Sequence, residues 1–168
     1  MGITLFDREK LENLITFKLF IMNEILKIKT GLPEDKKSAI PILEQYLLAA
    51  FQGNSNGTLI FDDGTIYITN RISGTENYQW TYFTRLKPEG IDLLKKIIIE
   101  EFSKTEVEIN RGGTSGNQLL WKSALKNVKH EVAIGSGSYD SLPPVFRKID
   151  NLINDFMVKL NEKQTLNN

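Results

Sequence analysis

His130 is the only imidazole in the chain, and general acid–base chemistry at neutral pH would start there. From Val128 to Ile134 a strand would set His130 beside Val128, Val132 and Ile134, with Lys129, Glu131 and Ala133 on the opposite side. A catalytic role needs a carboxylate that orients the ring and a hydroxyl within its reach, and Ser136 and Ser138 are the nearest hydroxyls in sequence. No nucleophile elbow or triad signature accompanies them. A core or sheet-edge histidine holding one hydrogen bond is the simpler reading, and it is preferred.

Carboxylate pairs stand at Asp62-Asp63, Glu100-Glu101 and Glu106/Glu108. A hard cation needs several converging oxygens, and no calcium-loop spacing is present. Asp62-Asp63 suits a turn, while Glu106 and Glu108 alternate with Val107 and Ile109 as the solvated side of a strand would. With one His and no Cys, a zinc or copper site would have to be built almost wholly from carboxylates, so no metal or other cofactor is expected. Two glycine-bearing stretches, Arg111–Gly116 and Gly135–Ser138, offer backbone that phosphate could approach. Neither has the spacing of a P-loop or of a dinucleotide fingerprint, and both read as connecting loops.

The remaining chemical signal is aromatic. Tyr78, Trp80 and Tyr82 share one side of a strand, with Arg71 and Arg85 nearby, an arrangement on which single-stranded bases can stack. The same stripe equally suits a sheet packed against apolar helices. Charge does not favour the nucleic-acid reading: 21 Lys+Arg balance 21 Asp+Glu, the two signs are interspersed, and no basic block emerges. A nucleic-acid partner is therefore not expected, and a small-molecule or single-stranded nucleic-acid binder is kept as the alternative.

These residues have to be positioned by a chain of 168 residues, 40% hydrophobic and 25% charged, a globular composition long enough to bury roughly 70% of its unfolded surface as one domain. The charged start, Asp7-Arg8-Glu9-Lys10, does not fit a secretory leader, and the most apolar stretch, Leu14 to Met22, is too short to span a bilayer. A soluble, cytoplasmic protein with no membrane partner is expected.

From Asp7 to Lys29, Leu11, Leu14, Ile15, the stem of Lys18, Met22, Ile25 and Leu26 recur at helical spacing. Phe17, Leu19, Phe20 and Ile21 widen that stripe, so the helix should touch neighbours on two sides or meet a second copy. A second helix is predicted from Ser38 to Gln52 through Ile42, Leu43, Tyr46, Leu47 and Ala50, with Pro41 in its first turn. Residues 1–53 thus read as a helical pair ahead of an α+β core over 57–162, with a frayed tail at 163–168.

In the core, Thr58–Phe61 and Thr65–Thr69 flank Asp62-Asp63-Gly64, where Gly supplies the positive φ of a primed hairpin turn. Asn77–Arg85 is a third strand. Lys87-Pro88-Glu89 opens a helix to about Phe102. Glu106–Ile109, Gln118–Leu125 and Val128–Ile134 are further strands, and a last helix is capped by Asp140 or Ser141 with Pro143 and Pro144 in its first turn. The predicted fold is α+β: an antiparallel sheet of about five or six strands with helices on one face. This rhythm over Thr58–Leu160, carried by the Asp63-Gly64 hairpin, the Lys87-Pro88-Glu89 helix start and the strand leading into Leu142-Pro143, resembles small bacterial hairpin-helix-hairpin-helix domains, a group that includes protease-inhibiting emfourin-like proteins. No functional residue is carried over from it.

Since no reactive constellation outweighs its structural explanation, enzymatic activity ranks third. The expected function is protein–protein interaction, as an inhibitor or immunity-like partner or by homodimerisation. Its surfaces would be the Tyr78-Trp80-Tyr82 strand with Arg71 and Arg85, and Phe17 and Phe20 of the first helix.

Overall fold

The computed structural model describes residues 31–48, 55–71, 78–106, 117–134 and 142–158, together with Glu12, Ile15, Thr16, Leu19, Met22, Asn23, Ile25 and Leu26. Among the described residues six strands form one antiparallel sheet: β1 (Leu43–Leu48), β2 (Asn56–Ile60), β3 (Thr65–Arg71), β4 (Tyr78–Arg85), β5 (Asn117–Ser123) and β6 (Val128–Ile134), in the order β4-β3-β2-β1-β5-β6. Two helices, α1 (Pro88–Glu100) and α2 (Pro144–Phe156), pack against each other and against one face of that sheet. The α+β class and the antiparallel sheet therefore stand.

The expected N-terminal helical pair does not. Its second member contains β1, which lies between β2 and β5 near the middle of the sheet. The segment Ile42-Leu43-Glu44-Gln45-Tyr46-Leu47-Leu48 is covered on both sides, so its apolar residues need not alternate, and such a run mimics one face of a helix. Leu43 and Leu47 face α1 and α2, while Tyr46 and Leu48 face the other way. Pro41 precedes the strand, where its missing N–H leaves no gap in the ladder. The ladder continues beside it through Ile42, whose N–H donates to the Ile60 carbonyl at 2.8 Å.

Between the sheet and α1/α2 lies the larger core, built on Leu43, Ile60, Ile66, Trp121, Leu94, Ile98, Phe102, Phe146 and Ile149. Phe102, Phe146 and Trp121 meet pairwise, with ring centroids 4.7 to 6.2 Å apart. The opposite face of the sheet carries a second core of Tyr46, Leu48, Leu59, Phe61, Tyr67, Tyr78, Trp80 and Leu120, onto which Ile25 and Leu32 pack. The described residues from Glu12 to Leu26 have helical backbone, and Ile25 among them, with Leu32, laps over the face that α1 and α2 leave open. No helix among the described residues is long and apolar enough to cross a membrane.

Turn chemistry differs from expectation in detail. In the β2–β3 hairpin the Gly64 N–H donates to the Phe61 carbonyl and positive φ falls on Gly64 (+82°), not on Asp62 or Asp63. This is the longer hairpin loop with a left-handed glycine after the turn, not a two-residue primed turn. The pair of positive φ values sits in the β5–β6 hairpin, at Lys126 (64°) and Asn127 (51°). The last helix likewise starts without its expected cap: Pro143 holds the N-cap position with no side-chain hydrogen bond, and Pro144 is the first helical residue.

Candidate interaction surface

On β4 the aromatic stripe divides. Tyr78 and Trp80 are buried, Trp80 to 5% exposure, in the core beneath Ile25 and Leu32. Gly31 holds the overlying segment close, since a Cβ there would collide with the Tyr78 carbonyl and lie 3.6 Å from Trp80 Cδ1. Tyr82 lies at the rim, 42% exposed, edge-on to Tyr67 with centroids 5.9 Å apart. The pairing of β3 with β4 shifts register beside Tyr67, so Tyr67 is opposite Tyr82 while Ile66 is opposite Thr84. The bulge leaves Phe83 exposed on an edge strand. Arg85 is exposed, and its carbonyl accepts the Val158 N–H at 2.9 Å. Arg71 pairs in register with Tyr78, but its side chain lies outside the described residues, as do Phe17 and Phe20. The predicted set is therefore not brought together as one open face: Tyr78 and Trp80 serve packing, and Tyr82 and Arg85 remain accessible.

What stays open is the outer side of the N-terminal helical segment. Ile15, Leu19, Met22 and Leu26 are each between 50% and 60% exposed. At about 100° per residue their 4-3-4 spacing confines them to an arc of about 60°, while Ile25 points about 90° from the middle of that arc, toward the sheet. The helix thus has two apolar sides, one seated on the second core and one facing water. Isolated exposed apolar residues are ordinary, but four aligned on one helix make a contiguous strip. Sequence reasoning foresaw the doubled apolar character, but it ranked Phe17 and Phe20 above this strip.

No known protein family, curated protein or solved structure matches the chain.

Several polar groups in the interior bond to one another. Glu44, facing the second core, accepts the Tyr46 hydroxyl at 2.6 Å and pairs with Lys122 at 3.1 Å, and Lys122 also lies over the Tyr46 ring. Burial, with the Glu44 charge and hydrogen bond, drives the Tyr46 phenol far above its ordinary range, so it stays a neutral donor. Lys36 reaches across the sheet rim to Asp63 at 2.8 Å, with its ammonium 4.8 Å from the Phe61 ring centroid. Burial pushes the Asp63 carboxyl up, but hydrogen bonds from Lys36 and Thr65 outweigh it and bring the value down to about 2. Asp62 pairs with Lys95, and Glu101 with Lys148, so Asp62-Asp63 belongs to a turn and Glu101 to a surface ion pair.

On the helix side, Asp150 of α2 accepts a hydrogen bond from Gln45 at 3.2 Å, and burial pushes its carboxyl up to about 6 despite that bond. Gln45 is in register with Trp121, and Trp121 with His130. The buried Trp121 Nε1 finds no hydrogen-bond partner among the described residues. The His130 side chain, Ser136 and Ser138 lie outside those residues, as do Glu108 and both glycine-bearing loops. Among the described residues no group of three or more His, Cys, Asp or Glu side chains is placed to hold a metal. The sequence analysis missed Asp150 because it follows Ile149 in an otherwise regular amphipathic helix, and only its contact with β1 sets it apart.

Proposed function

We propose that this chain is a protein–protein interaction module that docks through the outer strip of its N-terminal helical segment. The observation that carries the reading is the exposure of Ile15, Leu19, Met22 and Leu26 on a helix whose other side, with Leu32, covers the sheet. Both faces of the sheet already support a core, so among the described residues the strip sets four exposed apolar side chains on one helix side, where a partner could reach them. Burying the open half of four such side chains contributes about 3–6 kcal/mol before the costs of association are subtracted. The partner's own buried apolar surface has to supply a comparable amount for the contact to outweigh those costs.

Immobilised wild-type chain should retain protein from a cell extract, and Leu19→Lys/Met22→Lys should lose that retention while keeping its circular-dichroism spectrum. Equal retention by the two proteins would refute the reading. An inhibitor or immunity-like role is one form such docking takes, and the identity of the retained chain decides it.

A further inference from the structure

We draw no further inference here: the strongest candidate, the exposed apolar strip of Ile15, Leu19, Met22 and Leu26 on the outer side of the N-terminal helical segment, belongs to the surface already described, and nothing in the structure shows what covers it.

Discussion

Replacing Trp80 by alanine separates packing from ligand binding on the aromatic strand. The indole is 5% exposed among Tyr78, Tyr67, Leu59 and the overlying Ile25 and Leu32. Removing a buried aromatic side chain of this size costs about 3–5 kcal/mol through lost transfer energy and the cavity left behind. Against a total stability of about 5–15 kcal/mol, that is a large fraction. In a chain of this length it corresponds to a fall in Tm of about 6–20 °C. Urea unfolding followed by far-ultraviolet circular dichroism should show a lower midpoint with an unchanged slope, which marks lost stability and not an altered unfolded state. Arg85→Ala, at an exposed site on the same strand, should stay within about 0.5 kcal/mol of wild type and serves as the control. A Trp80→Ala loss below about 1 kcal/mol, together with lost retention of a single-stranded oligonucleotide by an intact fold, would refute the packing argument and restore the aromatic strand as a binding face.

Other substitutions probe the turn and the titrating groups. Gly64→Ala places a Cβ at φ +82°, 2.7 Å from Ile91 Cδ1 and 2.9 Å from the Leu86 carbonyl oxygen, and should cost at least about 1–2 kcal/mol in urea unfolding. Wild-type stability at this cost would show that the hairpin re-forms elsewhere. Asp150, raised from 3.8 to about 6, holds its proton more tightly when folded, so its contribution is full below pH 3.8 and is lost as pH rises through 6. Asp150→Asn should therefore gain Tm relative to wild type as pH climbs through that window, and parallel Tm–pH curves would contradict the buried-carboxyl argument. Asp63, lowered to about 2, acts in the opposite sense, with a contribution present above pH 3.8 and lost as pH falls through 2. The two groups are thus read in separate windows.

Where one residue type dictated the backbone, the fold was legible in advance. Gly64 marked the first hairpin, Pro88 and Pro144 marked the starts of α1 and α2, and Lys126-Asn127 marked the second hairpin. Where burial on two sides erased periodicity, it was not. The segment from Ile42 to Leu48 has the same apolar density as a helix face, and only its neighbours β2 and β5 make it a strand. The candidate surface was half legible for a related reason. The breadth of the first helix's apolar character was visible, but which side meets the sheet depends on Ile25 and Leu32 packing over Trp80 and Tyr78, a long-range contact that local spacing does not encode. Glu44, Tyr46 and Lys122 come together only when β1 and β5 align, so their buried polar contact left no motif to find.

Retention of protein from a cell extract by the immobilised chain, wild type beside Leu19→Lys/Met22→Lys, tests the central claim most directly. The account predicts retention by the wild type and its loss by the variant, with superimposable circular-dichroism spectra. Equal retention by both, or by neither, would contradict the assignment of docking to the outer strip of the N-terminal helical segment.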